Sequence, residues 1–206
     1  MLKLHASPIS SNSRKVRWAL EELGVPYTYH HVDLMKGEQK AEGHTALNPN
    51  AKVPVIEDDG IKLWESNAIL WYLGDRYGTG KLVPTDAHER ALVHQWVAWQ
   101  GSEIGPTVIR PWLMQLMAKF GAPMDKEEHG RLCAAAKTPL AVLDGQLARH
   151  AYVTGTRLTI ADIAIAESVG LCEEAGISLE EYPNVRRWFA SMGDRPAFVK
   201  TRANMG

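Results

Sequence analysis

Lys52-Val53-Pro54-Val55-Ile56-Glu57-Asp58-Asp59-Gly60-Ile61-Lys62-Leu63-Trp64-Glu65-Ser66-Asn67-Ala68-Ile69 is the stretch on which the reading of this chain turns. Val53–Asp58 and Ile61–Trp64 are short strand-forming runs around Asp58-Asp59-Gly60, a tight hairpin signal. Pro54 is acceptable only at a strand mouth, because it lacks the N–H that a ladder needs. Glu65-Ser66-Asn67 then opens a helix running to about Tyr77, with a carboxylate and a hydroxyl beside free backbone N–H groups. Extended backbone before a proline, followed by that helix start, suits a small peptide with its own α-amino and α-carboxylate ends.

Toward the N-terminus, Leu2–His5 and Tyr27–Leu34 read as strands. Between them Val16, Leu20 and Leu23 share one helical face, and Gly24 with Pro26 ends that helix. A β-helix-β order favours a parallel pair joined by a right-handed crossover. Lys36–Ala46 reads as a weak helix or an irregular loop. The order β-α-β-α-β-β-α predicts a small mixed sheet with helices packed on it.

Beyond Gly78-Thr79-Gly80 the strand signal disappears. Ala87–Lys119, Lys126–Arg149, Ile160–Ala175 and Asn184–Met192 read as helices, with Gly105-Pro106 and Arg110-Pro111 interrupting the first. Leu158-Thr159-Ile160-Ala161-Asp162-Ile163 carries a capping box and a hydrophobic staple. The helix it opens is apolar on most sides and belongs at the centre of this half. The expected division is 1–78, a linker at 79–86, and an all-helical part at 87–206.

Bulk properties exclude several classes. The 206 residues carry 23 Lys plus Arg against 24 Asp plus Glu, which gives no long-range attraction for nucleic acid or anionic membrane. Met1-Leu2-Lys3-Leu4-His5 is no secretory leader and no apolar run reaches membrane-spanning length, so the expectation is a cytoplasmic protein. Cys133 and Cys172 offer neither a disulfide framework nor a CxxC site and read as buried small hydrophobes. His30 and His31 alternate faces of a strand and cannot readily chelate one ion, so no metal is expected. Glu21-Glu22 and Glu127-Glu128 read as solvated faces.

Five marks in order carry a family resemblance. They are Ser7-Pro8-Ile9-Ser10 before Arg14-Lys15-Val16, Asn48-Pro49 with Lys52-Val53-Pro54, Glu65-Ser66-Asn67-Ala68-Ile69, Leu158-Thr159-Ile160-Ala161-Asp162, and Arg195-Pro196-Ala197-Phe198. Over essentially its whole length the chain resembles the soluble glutathione transferases. The resemblance implies an α/β, thioredoxin-like N-terminal domain followed by an all-helical C-terminal domain. It implies a twofold homodimer in which reduced glutathione is the co-substrate and its thiolate attacks a small electrophile held between the domains.

The same resemblance assigns roles. Pro54 matches the family's cis proline, which turns the Val53 backbone toward the cysteine of glutathione; Glu65 and Ser66 match the pair that holds the γ-glutamyl end. Gln39 and Lys40 match residues gripping the glycine end, and Lys52 stands where many relatives have glutamine. Trp99, Arg110 and Trp112 fall where the electrophile pocket would be lined, although core packing explains a single tryptophan as well.

Activation of the thiol falls to the first helix entrance. A free thiol titrates near ~8.5, and lowering that by ~2 units needs ~2.7 kcal/mol of extra anion stabilisation. One hydroxyl donor with a helix N-terminus is of that size. Ser10, Ser11 and Ser13 lie there with Asn12 among them; Ser10 matches the serine of the theta, delta and phi classes, and Asn12 matches an auxiliary asparagine of another bacterial class. Serine is also a favoured helix cap anywhere. Read with Val53-Pro54 and Glu65-Ser66, Ser10 is the expected catalytic hydroxyl and Asn12 its auxiliary. Glutathione-dependent disulfide reduction, reductive or lyase chemistry, and a non-catalytic binding module are the alternatives. A dithiol mechanism is excluded because the first helix has no cysteine.

Overall fold

The computed structural model describes residues 1–203, and these form two compact units, Met1–Thr85 together with the stretch from Gly193, and Asp86–Met192. The sequence placed everything after residue 86 in the helical part, whereas the last helix packs with the first unit.

In the first unit, β1 (Leu2–Ala6) pairs in parallel with β2 (Tyr27–His31) and antiparallel with β3 (Val55–Asp58), which pairs antiparallel with β4 (Ile61–Trp64). The sheet order is β2-β1-β3-β4. Period-two alternation buries Leu2, Leu4 and Ala6 on one face of β1, while α1 (Ser11–Leu23) packs against α3 (Ser66–Tyr77), which contacts β3 and β4. Asp59 and Gly60 both take positive φ, 46° and 84°, as a two-residue hairpin turn requires. Val32–Leu34 lies outside β2, and the Lys36–Ala46 stretch holds a 3₁₀ turn at Glu38–Lys40 and the short helix α2 (Glu42–Thr45).

Glu21 and Glu22 are not a solvated face. Trp18 Nε1 donates to Glu22 Oε2 at 3.3 Å, and Arg195 grips both Glu22 oxygens. Lys200 Nζ meets Glu21 Oε2 at 2.6 Å, and Tyr27 donates its hydroxyl to Glu21 Oε1 at 2.7 Å. With Phe198 edge-on against Trp18 at 4.8 Å, these bonds fasten the final helix, Pro196–Ala203, to α1.

The second unit is helical. The long run from Ala87 is α4 (Ala87–Trp99), a π turn over Gln100–Ile104 and α5 (Gly105–Lys119). The irregularity therefore precedes the Gly-Pro pair rather than falling at Pro111, which lies inside α5. A Cβ on Gly105 would stand 2.6 Å from the Gln100 carbonyl, so only glycine admits this close approach. The Lys126–Arg149 run breaks at Ala136 into α6 (Lys126–Ala135) and α7 (Lys137–Leu147), because Pro139 supplies no N–H to continue the earlier ladder. α8 (Ile160–Val169) ends earlier than periodicity indicated; all ten of its residues are buried. Asp144 caps α9 (Pro183–Gly193), accepting from Asn184 N at 2.8 Å and Val185 N at 3.0 Å. Cys172 is buried, whereas Cys133 is half-buried.

Thr159 and Asp162 form the expected capping box. The Asp162 carboxylate is also a hub, accepting from Val153 N at 2.8 Å, Thr159 N at 2.9 Å, Thr159 Oγ1 at 3.0 Å and Trp188 Nε1 at 3.2 Å. Burial pushes its carboxyl from 3.8 up to about 6, against the pull of those donors. A raised carboxyl pKa means that the folded chain holds this proton more tightly than the unfolded chain. Its contribution to stability therefore falls as pH rises from 3.8 toward about 6. Asp162→Ala should cost about 3 kcal/mol or more by stranding buried donors, and should remove that segment of pH dependence. Urea unfolding followed by tryptophan fluorescence across this range checks both; an unchanged pH profile would contradict the assignment.

Candidate functional site

Strand register gathers the candidate residues at one end of the sheet. Ala6, the last residue of β1, stands beside His31, the last of β2. His5 faces Val55, the first residue of β3, and Val55 faces Trp64, the last of β4. Ser7–Asn12, the segment after His31, Lys52–Pro54 and Glu65–Ser66 therefore all emerge at that edge.

Ser10 is the N-cap of α1, and its Oγ accepts from Ser13 N at 3.3 Å. Acceptance uses a lone pair only, so the hydroxyl hydrogen is left for an acceptor in front of the helix. Ser13 Oγ is taken by Ser7 N at 3.2 Å in a buried bond, and Ser11 is buried at 7% exposure. Asn12 is exposed on the first turn, and its Oδ1 accepts from Ser66 Oγ at 3.1 Å. That bond joins two candidates 54 positions apart and holds the start of α1 against the start of α3.

The Val53–Pro54 peptide is cis. One residue earlier, the Lys52 carbonyl accepts from Asn48 Nδ2 at 2.8 Å and His44 Nε2 at 2.9 Å, while the Lys52 side chain is exposed. His44 was not singled out from the sequence; it sits in a four-residue helix with no apolar period to announce it.

Glu65 is exposed and carries φ 70°, ψ 109° immediately before α3. A side chain in that region is strained, and such outliers cluster at active sites and ligand clamps. Ser66 follows at 8% exposure, and Lys15 Nζ donates to Asn67 Oδ1 at 3.3 Å behind it. Gln39 and Lys40 lie on the 3₁₀ turn after β2, Lys40 exposed. Gln39 Oε1 is buried without a hydrogen-bond partner, an unusual expense for a polar atom.

The expected co-substrate residues lie in the helical unit. Trp112 is 8% exposed and donates its Nε1 to Glu174 Oε2 at 3.0 Å, which is what packing requires. Trp99 is half-buried with its ring 5.0 Å from that of Trp96, and Arg110 is exposed. Among the described residues no group of three or more His, Cys, Asp or Glu is placed to hold a metal, and no helix is long and apolar enough to cross a membrane.

Comparison with known proteins bears on this arrangement. Residues 1–75 match the family model described as glutathione S-transferase, N-terminal domain, and residues 110–196 match glutathione S-transferase, C-terminal domain. Glutathione S-transferase GstB of Escherichia coli K12 is 31% identical over 97% of this chain and 97% of its own. A glutathione transferase family member of Pseudomonas fluorescens Pf-5, solved with two glutathione bound, is 31% identical with a TM-score of 0.87, covering 98% of this chain and 92% of that one. A glutathione transferase of Pseudomonas putida, solved with one glutathione disulfide bound per subunit, is 30% identical with a TM-score of 0.90, covering 100% and 92%.

Replacing Glu65 by glycine should relieve about 1–3 kcal/mol of backbone strain at an entropic cost of about 0.5–1. The net expectation is an unfolding free energy raised by about 1 kcal/mol, read from urea melts of the two proteins. A less stable Glu65→Gly protein would mean that the strain is absent.

Proposed function

We propose, for a chain that belongs to the glutathione S-transferase family, that this enzyme activates the thiol of reduced glutathione by a serine-type mechanism. The observation that carries the reading is Ser10: a half-buried N-cap hydroxyl with a hydrogen to spare, at the sheet edge where the other candidate residues emerge.

Each part of the ligand has a counterpart. The ammonium of its γ-glutamyl end pairs with the Glu65 carboxylate; the adjacent carboxylate takes the Ser66 hydroxyl and the free N–H groups at the start of α3. The Ser66 hydrogen that reaches Asn12 in the free protein turns to that carboxylate when the ligand binds. The cysteinyl backbone pairs with Val53, whose groups Pro54 aims. Gln39 and Lys40 take the glycine end, where Lys40 meets the terminal carboxylate. Lys52, exposed, adds positive charge.

The sulfur then lies before Ser10. Its proton leaves to solvent, and the anion accepts from the Ser10 hydroxyl in the positive field of α1, with Asn12 as auxiliary donor. The thiolate lone pair forms the new carbon–sulfur bond while the electrophile's leaving group departs with its own electron pair. Trp99, Arg110 and Trp112 are assigned to the pocket of the electrophile, an apolar co-substrate. The enzyme is proposed to act as a cytoplasmic homodimer.

A second reading, glutathione-dependent disulfide reduction, is favoured by the position of Asn12 beside Ser10 and by the glutathione disulfide held by the Pseudomonas putida relative. Turnover of a small disulfide with little activity on aryl halides would select it.

Ser10→Ala should lower turnover of an activated aryl halide by roughly 100-fold or more, as loss of one donor to a developing anion does elsewhere. Calorimetry should show glutathione affinity within about threefold of the unaltered protein, a difference below 1 kcal/mol. Near-normal turnover would move the role to Asn12 or Ser11.

A further inference from the structure

We propose that His44 is a positioning residue for glutathione: with Asn48 it clasps the Lys52 carbonyl and so aims the Val53 backbone on which the cysteinyl part of the ligand docks. The inference rests on the glutathione reading above and adds to it a residue with no counterpart among the motifs that led there.

The clasp is defined by chemistry as well as distance. A carbonyl oxygen only accepts, and its two lone pairs are used by Asn48 Nδ2 at 2.8 Å and His44 Nε2 at 2.9 Å. His44 Nε2 therefore carries a hydrogen, whichever charge the ring bears. The orientation of the Asn48 amide is fixed as well, since its Oδ1 accepts from Asn50 N at 3.0 Å and Asn50 Nδ2 at 3.2 Å.

Neither donor is anchored by its own element. α2 spans only Glu42–Thr45, too short to hold itself in water. His44 is instead 7% exposed, with its ring edge-on to His5 of β1 at 6.5 Å. His5 stacks on His30 of β2 at 4.8 Å and bonds Glu57 of β3 at 2.9 Å. His44 thus connects three paired strands to the Lys52 carbonyl.

The backbone beside the clasp needs such restraint. Ala51 has φ 52°, a conformation an alanine side chain disfavours by about 1–2 kcal/mol. Without the two donors on the next carbonyl, rotation about this residue would relax and carry Val53 with it.

The test uses the full chain, glutathione titration by calorimetry, and the ultraviolet absorbance of the bound thiolate. His44→Phe keeps a ring of similar volume and removes the donor; His44→Gln restores an amide donor. His44→Phe should weaken glutathione binding about tenfold, the effect of losing one such hydrogen bond, and His44→Gln should recover most of it. The thiol pKa of bound glutathione should stay the same in both, because Ser10 and α1 are untouched; a general loss of fold would instead lower the fraction of binding sites. Asn48→Ala, which removes the other donor, should reproduce the tenfold weakening even where His44→Phe does not fold. Binding by His44→Phe within twofold of the unaltered protein, or His44→Gln as weak as His44→Phe, overturns the role of His44 alone. Failure of the unaltered protein to bind glutathione overturns the reading beneath it.

Discussion

The antiparallel pairing of β1 with β3, His5 against Val55 and Leu4 against Ile56, is the constraint on which the candidate site depends. It places the end of one strand beside the start of another, and the β3–β4 hairpin brings the end of β4 to the same edge. Four segments distant in sequence are then neighbours. Because side chains alternate with period two, a slip of one residue would turn Leu4 and Ala6 out of the core as it moved Pro54 away from Ser7. The packing that stabilises the sheet and the geometry that assembles the site are therefore set by one register.

Helix starts supply the polarity at that edge. α1 and α3 both begin there, so their unpaired N–H groups and dipoles present positive potential to whatever lies in front. Asn12 and Ser66 link the two starts directly. The strained residues follow the same logic: Ala51 and Glu65, both at positive φ, flank the Val53–Pro54 turn and the start of α3. Strain at such points is tolerated where neighbouring bonds over-determine the backbone, and the clasp on Lys52 and the pairing of Trp64 with Val55 do so here.

Much of this was legible in the sequence because the signals are local. Asp59-Gly60 dictates a hairpin, Gly24 ends a helix, and Thr159 with Asp162 spells a capping box that the structure contains. What the chain hid depends on partners far away. Pro196–Ala203 has no periodicity of its own and is held by Glu21, Glu22 and Trp18, some 175 positions earlier, where paired glutamates looked like a solvated face. The π turn at Gln100–Ile104 ends against Gly105, whose close approach to the Gln100 carbonyl is a packing feature that no local pattern announces. In the same way Ser10, Glu65 and Ser66 stood out through their motifs, whereas His44 became visible only through its bond to Lys52.

The central claim is that the start of α1 stabilises a sulfur anion. The most direct measurement is the ultraviolet absorbance of glutathione thiolate titrated with pH in the presence of the unaltered protein at saturating ratio. The account predicts a bound thiol titrating about 2 units below its free value of about 8.5, near neutrality. Glutathione that binds but keeps its ordinary thiol pKa would contradict it, leaving a binding fold without an activating site.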